Sequence, residues 1–185
     1  PDHYQLVGQY LFDNFDVKEQ QLGIVSGPCH AEEVALERLS YLTIAAQDES
    51  KAQVVADCLA CDFIKTKLSN DIYGTEFGAV LKNIYAIAAG IAHGLGYGDN
   101  FQAVLMSNAI REMNYILKTA SPMKRKINDS AYLGDLLVTG YSFFSRNRMF
   151  GNMIGKGYTV KSASLEMSMV AEGYYATKGV AIMNE

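Results

Sequence analysis

The sequence predicts an α/β layer followed by an all-helical region, and three observations carry that reading. Strand-like and helix-like patterns alternate through residues 1–70. From Ser69 onward helical periodicity takes over, with glycines as the main punctuation. A composition of 49% hydrophobic and 19% charged residues with three prolines leaves no low-complexity tract and enough apolar mass for packed cores. The expected division is therefore residues 1–70 and residues 71–185.

In chain order, the segment up to Phe15 has helical spacing through Tyr4, Val7, Tyr10 and Leu11. LGIVSGP is a short apolar strand ending in turn residues, and AEEVALERL is helical. LSYLTIAA reads as a strand, DESKAQVVADCLACD as an amphipathic helix whose acidic opening suits the positive helix end, and FIKTKL as a third strand. Strands and helices alternating at this rhythm indicate a parallel α/β layer. SND offers an N-cap to one long helix reaching Gly94, and Phe101–Leu117 makes a second. Shorter helices broken by Gly134, Gly140 and Gly157 follow, with LLVTG the one candidate extended piece.

A formal charge of −4 and a pI near 5.4 give no whole-molecule attraction to nucleic acid or anionic lipid. A membrane span needs about 20 predominantly apolar residues. The run between Asn83 and His93 offers nine, so it reads as a core helix. Three cysteines, an odd and sparse set, fit a reducing compartment, and the expected location is cytoplasmic. No signal peptide pattern opens the chain, and both ends read as cut from something longer.

The string GLGYGDN looks like a dinucleotide loop, but that loop needs G-x-G-x-x-G directly after a strand. Here Gly94, Gly96 and Gly98 follow a helix, so they read as a helix end and reversal. Lys82 lies on a helical face of mostly small residues, near Gly78, Ala79, Tyr85 and Ala86. Two readings stay open for it: an ammonium snorkelling past a partner helix, or a proton donor held in a cleft. In YLGDLLVTGYSFFSRNRMFG, Arg146 and Arg148 flank Asn147 and follow Ser145, and two readings stay open: a solvated basic turn, or a compact anion receptor, since arginine's planar fork suits phosphate and serine and asparagine add neutral hydrogen bonds. With Asp135 upstream, this set describes a site for a small phosphorylated substrate.

Other features read blandly. Cys58 and Cys61 form a CxxC within a helix, where redox or metal chemistry is not expected. His3, His30 and His93 are too scattered for a metal centre. Lys124–Lys126 reads as a solvated loop, and the methionines of REMNYIL and LEMSMVAEG as core.

Taken in order, EFGAVLKNIYAIAAGIAHGLGYGDN, YLGDLLVT, SRNRMFG and MVAEG resemble the bacterial NAD(P)-dependent glycerol-3-phosphate dehydrogenases. VSGPCHAEEVA is similar to that family's SGPSFAEEVA loop. The resemblance implies the C-terminal part of a Rossmann-type NAD(P)-binding domain over residues 1–70 and a truncated helical substrate-binding, catalytic domain over 71–185. It implies interconversion of dihydroxyacetone phosphate and sn-glycerol 3-phosphate with NAD or NADP, for glycerophospholipid synthesis, with no metal and as a homodimer. Lys82 matches the catalytic lysine, acting as general acid or base. Gly27, Cys29, Lys82, Asp135, Ser145, Arg146 and Asn147 match substrate-binding positions, and Ala31, Arg146, Val170 and Glu172 match cofactor contacts.

The chain departs from the family pattern at Cys29 (serine or threonine expected), His93 (an acidic residue expected) and Tyr132 (glycine expected). The glycine-rich fingerprint is absent, so this chain alone is expected to be inactive. The alternatives are a 6-phosphogluconate-like or hydroxyacid dehydrogenase, and a non-catalytic helical dimerisation module.

Overall fold

A computed structural model describes residues 5–183. They divide into two compact units, one of residues up to Ala79 together with Asn128–Asp135, the other of Val80–Ile127 together with Leu136 onward. Tyr4 and His3 lie outside the described residues.

The first unit holds a three-stranded sheet. Helix α1 (Val7–Phe15) leads through a short 3-10 turn to β1 (Gly23–Ser26), then α2 (Ala31–Val34), β2 (Ser40–Ala46), α3 (Glu49–Leu59) and β3 (Ile64–Ser69). Strand order is β1-β2-β3. β2 and β3 are parallel, joined by α3 as a crossover helix, as the alternating pattern predicts. β1 departs from that expectation, running antiparallel to β2 with Gly23 opposite Ala46 and Ser26 opposite Thr43. The direction in which a strand pairs is not written in its own apolar pattern, so the sequence could not report it.

Side chains alternate across each strand and divide the sheet into two faces. Ile44, with Leu42, Ala46 and Leu68, packs on Ala52 and Ala56 of α3, two alanines that are both 1% exposed. Helix α3 starts where its sequence says it should: the Asp48 carboxylate accepts from the backbone N–H groups of Ser50 and Lys51. The Ser50 hydroxyl also donates to it, holding the carboxyl below its ordinary range. Helix α2 is shorter than predicted. It stops at Val34, and Leu36 and Leu39 are exposed, so no apolar face extends it.

Helix α4 (Ile72–Gly94) starts in the first unit and ends in the second. Asp71 is its cap, with Oδ1 accepting from the Gly74 N–H at 2.9 Å. Its C-terminus confirms the reading of GLGYGDN as a reversal. Gly96 has φ +83°, its N–H donates to His93 O, and the Tyr97 N–H donates to Ala92 O, the paired bonds of a Schellman cap. No side chain with a Cβ adopts that φ cheaply.

In the second unit, α5 (Asp99–Ala120) follows, with Met106, Ala109, Met113 and Leu117 buried. Arg125 donates to the carbonyls of Leu117 and Ser121, closing the C-terminus of α5. The basic triplet is thus a solvated loop at exposed Lys124 and Lys126 and a helix cap at Arg125. A π-helical turn at Ser130–Gly134 precedes α6 (Asp135–Tyr141), then come α7 (Arg146–Gly155), α8 (Val160–Glu166) and α9 (Glu172–Met183). The extended piece expected at LLVTG is instead helix α6. Its buried residues Leu136, Thr139 and Gly140 recur at helical spacing, and burial overrides the strand preference of the valine and threonine.

Helices α4 and α7 touch backbone to backbone. A Cβ on Gly90 would lie 2.0 Å from Arg148 O, and one on Gly151 would lie 2.1 Å from Ile87 O. One turn along, Gly94 and Gly155 repeat the arrangement against Asn152 O and Ile91 O, each at 2.4 Å. Glycines four apart on both helices are therefore what lets them meet at this distance.

Among the described residues, no helix is long and apolar enough to cross a membrane.

Candidate active site

In the first unit, the loop leaving β1 carries Gly27, Cys29 and Ala31. Gly27 has φ +145°, and a Cβ there would fall 2.4 Å from Tyr41 O, so both backbone conformation and space demand glycine. Pro28 lies against Gly134, whose Cβ position is 3.5 Å from Pro28 Cγ. Asp135, 2% exposed, is the first residue of α6, and its Oδ2 accepts from the Ser26 hydroxyl at 3.2 Å. The structure thus gathers Gly27 and Asp135 around one turn of backbone. Cys29 is a free, half-buried thiol nearby in the chain, and Ala31 opens α2 on the surface.

The Asn128–Asp135 segment is fastened by a set of contacts the sequence reading did not find. Tyr132, at the position where the resemblance expects glycine, donates its hydroxyl to Asp71 Oδ2 in a buried hydrogen bond. The Asp71 carboxylate therefore serves the α4 cap with one oxygen and the π-helical turn with the other. The available signal was a tyrosine before LGD, a bulky polar residue in place of none.

In the second unit, Lys82 lies half-buried on α4. Ala86 and Ala89 on the same helix are 0% exposed, so the small-residue face is a packed one. Ser145, 3% exposed, is the N-cap of α7, its Oγ accepting from the Arg148 N–H at 3.2 Å. A hydroxyl that accepts in this way still has a proton to donate. Arg146 opens the helix and pairs with Glu172, Nη2 to Oε1 at 2.7 Å. Asn147, 4% exposed, donates from Nδ2 to Glu172 Oε2 at 3.3 Å and accepts at Oδ1 from the Gly173 N–H at 2.9 Å.

These contacts join the start of α7 to the start of α9. Both helix N-termini contribute positive potential beside the guanidinium. Helix α4 enters the same junction: a Cβ on Gly173 would lie 2.5 Å from the carbonyl oxygen of Asn83, the residue after Lys82. Arg148 takes a different course and stacks on Phe143 at 5.0 Å. Of the two arginines, Arg146 is therefore the one at the charged junction.

Val170 is exposed and lines a cavity of about 280 Å³ with Phe150, Met167, Met169, Tyr174 and Tyr175. The core reading of the methionines holds for Met113, fully buried, and fails at Met169. That residue is 57% exposed, with its sulfur 3.6 Å from Arg146 Nη1. Cys58 and Cys61 are free and exposed, and the described residues contain no group of three potential metal ligands.

The arrangement is a small α/β unit and a helical unit, and in the helical unit Ser145, Asn147 and Glu172 gather around Arg146 at the N-terminus of α7. The C-terminal family model described as "NAD-dependent glycerol-3-phosphate dehydrogenase C-terminus" matches residues 71–185, and its N-terminal counterpart matches residues 1–52. A curated relative from Salinibacter ruber, glycerol-3-phosphate dehydrogenase [NAD(P)+] 2, is 40% identical over 95% of this chain and 52% of its own length. One from Staphylococcus epidermidis, glycerol-3-phosphate dehydrogenase [NAD(P)+], is 35% identical over 97% of this chain and 54% of its own length. A solved structure of glycerol-3-phosphate dehydrogenase from Coxiella burnetii superposes with a TM-score of 0.89 at 27% identity, covering 97% of this chain and 55% of that one. The DsGPDH of Dunaliella salina gives 0.87 at 26% identity, over 96% of this chain and 34% of that one.

The chain belongs to the NAD-dependent glycerol-3-phosphate dehydrogenase family. It spans about half the length of the curated relatives it matches. The expected fold class, an α/β part followed by an all-helical part, is the one it has.

Proposed function

We propose that the protein interconverts dihydroxyacetone phosphate and sn-glycerol 3-phosphate with NADH or NADPH, in the cytoplasm, as a homodimer supplying glycerophospholipid synthesis. In this reading residues 1–70 contribute the C-terminal part of the NAD(P)-binding domain and residues 71–185 the substrate-binding region. The relatives' names support the reaction. The observation that carries it for this chain is Arg146 at the N-terminus of α7, braced by Glu172 and beside the Ser145 cap.

The chemistry assigned to each residue follows from its type. A guanidinium has five N–H donors in a rigid fork, of which Glu172 and Met169 engage only part, so phosphate oxygens find donors at Arg146. The Ser145 hydroxyl proton and the Asn147 amide sit on the same helix end and complete the anion receptor. One end of a nicotinamide nucleotide is assigned to the same region: the cavity beside Val170 offers both the apolar side chains of Phe150, Met167 and Met169 and the hydroxyls of Ser164 and Ser168, and Glu172, next in the chain to its lining residue Ala171, can accept from hydroxyls. When bound, the nicotinamide supplies the hydride to the carbonyl carbon. Lys82 gives the proton to the carbonyl oxygen as that bond forms, and takes it back in the reverse direction. Asp135 and the Gly27–Cys29 loop orient the rest of the substrate, Cys29 with a weaker donor than serine, and Ala31 abuts the cofactor.

The test is steady-state oxidation of NAD(P)H by the intact protein, with dihydroxyacetone phosphate and with unphosphorylated dihydroxyacetone. Arg146→Ala is expected to remove most of the preference for the phosphorylated substrate. Lys82→Ala should lower kcat by at least about 100-fold with either one. Wild-type kcat/KM for dihydroxyacetone phosphate in Arg146→Ala, or near-normal turnover in Lys82→Ala, sinks the assignment of that residue.

A further inference from the structure

The three strands of the sheet each send one polar side chain to the Asn128–Asp135 segment, and the three come from a single row. Ser26 of β1 is the register partner of Thr43 of β2, and Thr43 is the register partner of Lys67 of β3. Register partners project from the same sheet face. It is the face opposite α3, since Ile44 and Leu68, each one residue further along its strand, form the other register pair and pack on that helix. Along the row, Ser26 Oγ bonds Asp135 Oδ2 at 3.2 Å, Thr43 Oγ1 lies 3.4 Å from Ser130 Oγ, and Lys67 Nζ pairs with Asp129 Oδ2 at 2.8 Å. Tyr132 adds the bond to Asp71 from within the turn. Each contacting pair is more than 60 residues apart in sequence, and the segment is held at four points.

The three row contacts are not equal. Lys67 and Asp129 have side chains 52% and 34% exposed, where an ion pair adds little. Thr43 is 3% exposed and anchors the start of the π-helical turn. Of the three, Ser26 is the one that reaches the Asp135 carboxylate, donating a charge-assisted hydrogen bond to an aspartate that is 2% exposed. A π-helical turn carries one residue more per turn than an α-helix, so its exit direction depends on what holds it. Here the sheet row and the Tyr132–Asp71 bond hold it.

We infer that Ser26 is a positioning residue for Asp135: its hydroxyl fixes one carboxylate oxygen, and the Ser26–Thr43–Lys67 row sets the turn that delivers the aspartate. This rests on the reading of Asp135 as a substrate-site residue given above.

The experiment compares Ser26→Ala, Ser26→Cys and Ser26→Thr in the intact protein, with Asp135→Asn alongside. Ser26→Ala is expected to lower kcat/KM for dihydroxyacetone phosphate about tenfold, the scale of one charge-assisted hydrogen bond. The KM for NAD(P)H should stay at the wild-type value. Ser26→Thr keeps the hydroxyl on a strand-compatible side chain and should restore activity, and Ser26→Cys, of similar size with a weak donor, should fall between. A purely structural role predicts no such ordering and moves the cofactor KM as well. Wild-type kinetics in Ser26→Ala together with a damaged Asp135→Asn overturns the positioning role and leaves the site reading standing. Wild-type kinetics in Asp135→Asn overturns both.

Discussion

Each of the two units is held together internally, and by opposite means. In the first, the segment bearing Asp135 is fastened through side chains: Ser26, Thr43, Lys67 and Tyr132 each reach a polar partner distant in sequence. In the second, the helices bearing Lys82 and Arg146 are brought together by missing side chains, with Gly90, Gly94, Gly151 and Gly155 letting carbonyl oxygens approach where a methyl would stand. The difference decides how each set of contacts fails. A polar tether is lost by deleting one donor and costs roughly one hydrogen bond, about 1 kcal/mol. A glycine contact is lost by adding one carbon, and the rigid partner is backbone that has no rotamer to yield.

Gly151→Ala is the strongest way to break that contrast. Its Cβ would sit 2.1 Å from Ile87 O, so α7 must translate away from α4. We expect a loss of about 3 kcal/mol of unfolding free energy, the upper part of the overpacking range, measured as a shift in the urea midpoint of the intact protein. Because Arg146 lies on the same helix as Gly151 and Asn83 on the same helix as Ile87, the proposed function adds the expectation that the substitution also weakens dihydroxyacetone phosphate binding. A midpoint within about 0.5 kcal/mol of wild type would mean that the helices slide freely, and the glycine contact would then be incidental.

This contrast also marks what could be read from the sequence. All three strands and the long helices were legible, because alternation and 3.6-residue periodicity are local properties, and so was the cap at Asp71. The antiparallel sense of β1 was not, nor was the Ser26–Thr43–Lys67 row, since both exist only once strands are in register. LLVTG was misread because its local strand preference is genuine and only the burial of Leu136, Thr139 and Gly140 overrules it. Among the expected site residues, the residue types and their order carried the family resemblance. Their structural duties were invisible: Asn147 is committed to Gly173 and Glu172, 26 and 25 residues further on. Ser145 was read as a ligand, and its capping bond to Arg148 N–H appears only because a helix begins there.

Tyr85 sharpens the comparison from the other side, as a polar tether inside the glycine-packed unit. It is 9% exposed, and its hydroxyl donates to Glu112 Oε1 at 3.3 Å, joining α4 to α5. Burial, reinforced by the neighbouring carboxylate, pushes its ionisation well above the ordinary tyrosine value of 10.0. A proton held more tightly in the folded state stabilises the fold fully below that ordinary value, and the contribution is lost as pH rises through the higher folded one. Tyr85→Phe should therefore cost about 1 kcal/mol near neutral pH, the smallest of these effects. The gap between the two proteins should close as pH rises above about 10, because only the wild type must then ionise a buried phenol. Urea midpoints for both proteins at about pH 8 and about pH 11 test this. Parallel pH profiles would show that the Tyr85 phenol ionises without loss of the fold, and the tether would then add nothing that depends on pH.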